Sequence, residues 1–212
     1  GDAYYYVSFV ATPAPDKPWM LQFGGHHLAI NATVVGANVT LAPSLTGGEP
    51  LRIAYEGSET RIAENEVTAG EALLKSLDAD QASKAVVSED VGNLALGPGE
   101  DGKSVAAEGI AGADLNAHQK SLLLGVIRSR LGILNEDDLA ATMAPIEATL
   151  DQTYFGWWGP TEPLGAAYFR VTGPNVVIEF SPQADDGDAT NHAHNIYRDP
   201  TNDYGAAWAN LD

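Results

Sequence analysis

The sequence predicts an α+β fold, with a largely antiparallel β-sheet and a central block of helices packed on it. Two observations support this class. Runs of β-branched and aromatic residues occupy both ends of the chain, whereas helical spacing of apolar residues is confined to its middle. The helices therefore form one block instead of alternating with strands, which argues against a doubly wound sheet. We expect residues 1–212 to form a single domain.

The N-terminal part is predicted to consist of strands separated by turns. Prolines between residues 13 and 18 exclude a helix or a central strand there. The predicted strands are residues 4–10, 19–35 (interrupted at Gly24-Gly25), 38–41 and 51–55. Residues 44–50 are predicted to be a loop.

The middle of the chain is predicted to be helical, and two of its helices begin with a repeated motif. Asp78 and Asn116 are good N-cap residues, and Gln81 and Gln119 follow three positions later, as in a capping box. The predicted helices are residues 68–77, 79–88, 117–131 and 135–151. Residues 92–112 have little periodicity and are predicted to be a loop. The last predicted strands are residues 153–158, 166–172, 175–181 and 192–197.

The composition excludes several classes of function. The net charge of -18 disfavours binding to nucleic acid and to anionic membrane surfaces. No apolar run approaches the roughly 20 residues needed to cross a bilayer, so membrane insertion is not expected. The absence of cysteine excludes disulfides and sulfur ligands for a metal. Because the chain begins at Gly1, we expect it to be a processed form or a fragment.

Four of the five histidines lie in two short motifs at opposite ends of the chain. On a strand, His192 and His194 point to the same face. His26 and His27 point to opposite faces if their segment is extended. His27 then shares a face with Ala29 and Asn31, which is typical of a cleft. We therefore predict metal ligation by His27, His192 and His194, with His26 as a substitute.

Three neutral imidazoles leave an open coordination position. On zinc, water in that position has its pKa lowered to about 7 and becomes a nucleophile. The same ligands suit copper or iron, where the open position takes oxygen. The alternative is a set of hydrogen-bonded structural histidines. His118, at a predicted helix start, is given no role.

Glu179 lies in an apolar strand, so its carboxylate must be paired, metal-bound or protonated. A structural ion pair with Arg170 is one interpretation, and a general base beside an anion-binding arginine is the other. Arg198 shares the predicted face of His192 and His194, which suits a substrate carboxylate or an oxyanion.

Other polar and aromatic residues follow or precede these strands. Asp199 and Asp203 are predicted to orient a ligand histidine, although turn formation also accounts for them. Trp157, Trp158 and Tyr204 are predicted to line a pocket, with burial in the core as the alternative.

These motifs resemble an uncharacterised family catalogued as domain of unknown function 3500. The resemblance covers nearly the whole chain, and the histidine motifs are its most specific part. It rests on GGHHLAIN, YFGWWGP, YFRVTGP, VVIEF and HAHNIYRDPTNDYG. It implies a His-rich polar site, an extracytoplasmic or secreted location, and a further N-terminal portion that this chain lacks. It implies no reaction.

The leading functional hypothesis is a zinc-dependent hydrolase acting on a small-molecule or anionic substrate. Glu179 deprotonates the metal-bound water and Arg198 stabilises the oxyanion. A copper or iron oxidase with the same ligands is the closest alternative. A non-catalytic exported module that binds a small ligand, and a purely structural site, are the others.

Overall fold

The computed structural model describes residues 4–184 and 187–209, and it confirms the predicted α+β class. Short strands make up the first part of the chain. They are β1 (Tyr6–Val10), β2 (Trp19–Gly25), β3 (Leu28–Val35), β4 (Asn38–Thr40), β5 (Ser44–Gly48), β6 (Arg52–Tyr55) and β7 (Ser58–Arg61).

Helices occupy the middle of the chain and strands return after them. The middle elements are α1 (Glu64–Lys75), α2 (Ala79–Ala85), β8 (Val86–Ser88), β9 (Ile110–Ala111), α3 (Ala117–Leu131) and α4 (Glu136–Ala148). The last elements are β10 (Tyr154–Trp158), β11 (Tyr168–Gly173), β12 (Val176–Pro182), β13 (Ala193–Arg198) and α5 (Ala206–Ala209). Among the described residues, no helix is long and apolar enough to span a bilayer.

One large sheet joins both ends of the chain. Its strand order is β1-β2-β3-β5-β13-β12-β11-β10-β8, with β4 added to β3 and β9 added to β10. The pairings are antiparallel except that of β8 with β10. The strands β6 and β7 form a separate hairpin. Because β5 lies between β3 and β13, the N-terminal and C-terminal strands become neighbours.

The helices cover one face of this sheet. Alternate residues of β12, namely Val176, Ile178 and Phe180, are almost fully buried in the core. They pack in one cluster with α1, α3 and α4, which contribute residues such as Leu73, Ile127 and Ile146. The apolar periodicity that predicted the helices therefore reflects burial against this face.

Residues 89–109, here called the covering segment, lie over part of the other face. The intervening residues of β12, Val177, Glu179 and Ser181, are buried beneath it, so both faces of β12 are excluded from solvent. The segment has few strand or helix hydrogen bonds of its own, and polar side chains of the sheet bind its backbone instead. These hydrogen bonds explain how a segment without regular secondary structure is held against the sheet.

The repeated motif at the starts of α2 and α3 forms two capping boxes, as predicted. The Asp78 and Asn116 side chains accept hydrogen bonds from the backbone N–H groups of Gln81 and Gln119. The two glutamine side chains also bond each other, at 3.0 and 2.7 Å. The repeat therefore fixes both helix starts and joins them.

Several predicted boundaries were wrong, for identifiable reasons. Residues 44–48, predicted to be a loop, form β5. This short segment has no clear alternation of apolar and polar residues, and it becomes a strand because both β3 and β13 pair with it. The helix predicted at 79–88 ends at Ala85, and residues 86–88 pair with β10 instead. The helix predicted at 68–77 begins at Glu64, where acidic residues favour its N-terminus.

Candidate metal centre

His26 and His27 form the turn of the β2–β3 hairpin. Gly25 pairs with Leu28, so only the two histidines separate the strands. The expected alternation of an extended segment therefore does not apply to them, and their rings lie 4.3 Å apart between centroids. His26 is exposed and His27 is half-buried. The turn directs His27 towards the sheet. The alternation of side chains along an extended strand could not establish this orientation.

The strand β5 brings this turn to the second histidine motif. Gly47 of β5 pairs directly with His194 of β13. A Cβ atom placed on Gly47 would lie 3.3 Å from the Cδ2 atoms of both His194 and His27. Glycine therefore leaves the space in which rings from distant parts of the sequence meet.

The three predicted ligands form a cluster. One potential ligand nitrogen from each of His27, His192 and His194 lies within 4.8 Å of the others. The His27 and His192 Nε2 atoms are 3.1 Å apart. The ring centroids of the three pairs are separated by 5.1 to 5.2 Å. The assumption that both motifs converge at one point is therefore met by the fold.

His192 has a buried nitrogen without a hydrogen-bond partner. Its side chain is 8% exposed, and Nδ1 bonds no protein atom. The nearest carboxylate oxygen, Oε2 of Glu49, is 3.8 Å away, beyond hydrogen-bond distance. A buried polar atom normally has a partner, since leaving it unpaired costs about 1–3 kcal/mol. Three other buried polar atoms of the described residues, Thr33 Oγ1, Arg130 Nε and Asn195 Oδ1, have the same property, so it does not by itself identify a binding site.

The cluster favours neutral imidazole at His27. Partial burial, and then the neighbouring His26, His194 and His192, lower the pKa of His27 from 6.5 to about 4, while Glu49 opposes the shift. Desolvation and like charges both disfavour the imidazolium ion. At neutral pH this ring therefore has a nitrogen lone pair for a hydrogen bond or a cation.

Glu49 is the residue of this region that the sequence did not identify. It follows β5 directly, and with His26 and His27 it forms a second group whose potential ligand atoms lie within 4.8 Å of one another. Its side chain is 41% exposed. No local pattern distinguishes Glu49 from other acidic residues of this chain. Only the pairing of β5 with β13 places it beside His192.

Glu179 holds the covering segment. Its carboxylate accepts hydrogen bonds from the backbone N–H groups of Ala95 and Leu96, at 2.6 and 2.8 Å, and from the Tyr168 hydroxyl at 2.7 Å. The residue is fully buried. Three hydrogen-bond donors of the protein therefore bind this carboxylate, for which the sequence had suggested the role of general base. This geometry favours a structural role.

Arg170 also binds the covering segment, and its expected ion pair with Glu179 is replaced by a bridged contact. The two residues are paired across β11 and β12, but the guanidinium binds Glu108 at 2.6 Å and the Ala106 carbonyl at 3.0 Å. The Tyr168 hydroxyl accepts a long bond from Arg170 and donates to Glu179. The bridging hydroxyl explains how both charges are satisfied.

Arg198 lies four residues along β13 from His194, which is about 13 Å on an extended strand. Its guanidinium donates to the Leu96 and Gly97 carbonyls and pairs with Asp101 and Asp203, at 3.0 and 2.8 Å. Two carboxylates thus compensate its charge, which disfavours the expected binding of a substrate carboxylate.

Asp199 and Asp203 bind groups other than the histidines. Asp199 accepts from the backbone N–H and hydroxyl of Thr201, as in a turn. Asp203 accepts from Arg198 and from the backbone N–H of Asp199. Turn formation therefore accounts for Asp199, and the ion pair with Arg198 accounts for Asp203. These contacts replace the predicted contact with a ligand histidine.

The predicted pocket aromatics are distributed over three places. Trp157 is buried in the core, where it stacks on Phe169 at 6.0 Å. Trp158 lies under the Arg170 guanidinium, 4.9 Å from the ring centroid. Tyr204 donates a hydrogen bond to Asp101 at 2.9 Å and lines a cavity beside Arg198. The structure thus separates three residues that the sequence grouped together.

Comparison with known proteins identifies a family but no function. The sequence model of the family described as Protein of unknown function (DUF3500) matches residues 2–206, nearly the whole chain. The chain therefore belongs to this family. No curated protein and no solved structure matches it.

Proposed function

Membership of DUF3500 brings no assigned reaction, and from the geometry of the histidine cluster we propose that this protein is a zinc-dependent hydrolase. His27, His192 and His194 hold the ion. The observation that carries the proposal is the approach of one nitrogen from each ring to within 4.8 Å of the others. Three imidazoles with an open fourth position are a ligand set of catalytic zinc sites.

The spacing of the ring nitrogens supports this ligand set. Zinc binds imidazole nitrogen at about 2.0–2.1 Å, so two such ligands in a tetrahedral site are roughly 3.3 Å apart. The His27 and His192 Nε2 atoms, at 3.1 Å, are close to that separation.

Glu49 takes the acid–base role that the sequence offered to Glu179. Its carboxylate is beside His192 and is accessible to water, whereas Glu179 is buried and fully engaged. Bound zinc supplies a water whose pKa is lowered to about 7. Glu49 would serve as the proton acceptor for such a water and as the proton donor to the leaving group.

The metal and the catalytic role are tested by elemental analysis and ester hydrolysis. Protein purified without a histidine tag is analysed for metal as isolated and again after dialysis against zinc, and it is assayed with p-nitrophenyl acetate. We expect about one zinc per chain and hydrolysis that a chelator abolishes. His192→Ala/His194→Ala should lose both the metal and the activity.

His118→Ala is the matched control, because His118 is an exposed histidine at the start of α3. It should retain the metal and the activity of the wild type. Zinc retained by the double variant would overturn the metal site. Stoichiometric zinc without hydrolysis of any ester would overturn the catalytic role. Copper or iron in the native protein, with oxygen consumption, would favour the oxidase.

A further inference from the structure

An apolar row lies next to the histidine cluster on the same face of the sheet. Ala29 pairs with Leu45, and Leu45 pairs with Ile196, so β3, β5 and β13 contribute one residue each. Two positions away along β5 and β13 are Gly47 and its partner His194. Residues two apart on a strand share a face and are roughly 7 Å apart. The apolar row therefore begins where the histidine cluster ends.

This row is the floor of a cavity of about 260 Å³. Pro98 and Gly99 of the covering segment lie on its other side, together with Tyr204. A volume of this size, just below the range of about 300–1,000 Å³ that is typical of ligand sites, suits a small molecule. The histidine cluster and the cavity thus form one continuous stretch of the sheet face.

The end of the cavity farthest from the histidines holds an exposed carboxylate. Asp101 and Arg198 both line that end and pair with each other at 3.0 Å, and Asp203, outside the lining of this cavity, pairs with the other terminal nitrogen of the guanidinium at 2.8 Å. The Asp101 side chain is 53% exposed and keeps acceptor capacity towards solvent. Such an end attracts hydrogen-bond donors and cations and repels carboxylates.

We propose that this cavity binds the non-reacting part of the substrate, a short apolar chain that ends in a hydroxyl or a cationic amine. The proposal rests on the zinc hydrolase function and specifies its substrate class. The reacting group lies at the histidine cluster, the apolar chain lies over Ala29, Leu45 and Ile196, and the donor group reaches Asp101. Anionic tails are disfavoured, because Arg198 is already paired and Asp101 carries an exposed negative charge.

Binding of hydroxamates to the zinc-loaded protein tests the proposal. Hexanoyl hydroxamate, 6-aminohexanoyl hydroxamate and adipate monohydroxamate share a metal-binding group and chain length and differ in the charge of the tail. We expect the cationic compound to bind at least about tenfold more tightly than the anionic one, by calorimetry, with the neutral compound between them.

Two variants and one control test where the tail of the hydroxamate binds. Asp101→Asn should reduce the ratio between the cationic and anionic compounds to about threefold or less, whereas Asp151→Asn, at an exposed carboxylate that pairs with Lys120, should leave it unchanged. Ala29→Leu fills the floor and should weaken the hexanoyl compound more than acetohydroxamate, which has no tail. Melting curves verify that each variant is folded.

The outcomes separate this proposal from the one on which it rests. If zinc does not bind, the zinc hydrolase function is overturned together with the substrate class that rests on it. If zinc and acetohydroxamate bind but the three tails bind equally, or the anionic tail binds best, the metal site stands and the substrate class is overturned. An unchanged ratio in Asp101→Asn would also overturn the assignment of the cavity.

Discussion

Two groups of polar side chains lie on the same face of one sheet, and they differ in how their atoms are satisfied. Beneath the covering segment, Arg170, Glu179 and Arg198 all bind protein groups, and Glu179 is engaged by three donors. In the histidine cluster, the buried Nδ1 of His192 bonds no protein atom. The comparison teaches that burial of a polar residue does not by itself identify a functional site. The convergence of potential ligand atoms from distant parts of the chain is the more informative property.

Removal of Glu179 should have the largest effect, on stability. Glu179→Ala leaves three buried donors unpaired, each costing roughly 1–3 kcal/mol, so we expect a loss of at least about 3 kcal/mol in the free energy of unfolding. Urea unfolding of the metal-free protein measures it. Glu89→Ala, at an exposed carboxylate, is the control and should change little. A stable Glu179→Ala protein without activity would restore the catalytic interpretation of this residue.

A side chain at Gly47 should damage the histidine region. The Cβ atom of Gly47→Ala would lie 2.4 Å from the Ala193 carbonyl oxygen, which is too close for any contact. We expect a destabilisation of about 1–3 kcal/mol from overpacking and a weaker affinity for zinc, measured by unfolding and by metal titration. Gly125→Ala, within α3, is a contrasting variant, because no atom lies within 4 Å of its Cβ position and its φ is not positive. Equal zinc affinity in Gly47→Ala and wild type would show that close approach of the histidine rings is not needed for zinc binding.

The pH dependence of the metal-free protein should report on His27. Its folded pKa of about 4 is below the ordinary value of 6.5, so the unfolded chain binds the proton more readily. The contribution of His27 to the free energy of unfolding is therefore fully present above pH 6.5. It declines as the pH falls towards 4 and is constant below that. Unfolding at several pH values should show a smaller decline between pH 6.5 and 4 in His27→Gln than in the wild type. Identical profiles would contradict the lowered pKa.

The smallest effect on the metal site should come from Glu49. Because its carboxylate is partly exposed and 3.8 Å from His192 Nδ1, Glu49→Gln should weaken zinc binding by a few-fold at most. Its effect on ester hydrolysis should be larger, since the proton acceptor is lost. Glu56→Gln, at the exposed turn between β6 and β7, serves as the control for both measurements. Unchanged hydrolysis in Glu49→Gln would remove this residue from the mechanism.

The sequence by itself determined the elements whose cause is local. The starts of α2 and α3 follow from Asp78, Asn116 and their glutamines, because a capping box involves only four consecutive residues. The four C-terminal strands follow from apolar runs separated by turn residues. The unusual concentration of histidines was also visible in the sequence, although the sequence could not determine how the two motifs meet.

The tertiary structure decided everything that depends on distant partners. Residues 44–48 became a strand because two edges were available to them, and that strand placed Gly47 and Glu49 beside the histidines. Two of the three donors that bind Glu179 come from a segment more than eighty residues away, and no sequence pattern predicts that contact. Local propensity fixes helix starts and alternation, whereas a site formed by strand neighbours in space depends on pairing energies that no short window of sequence contains.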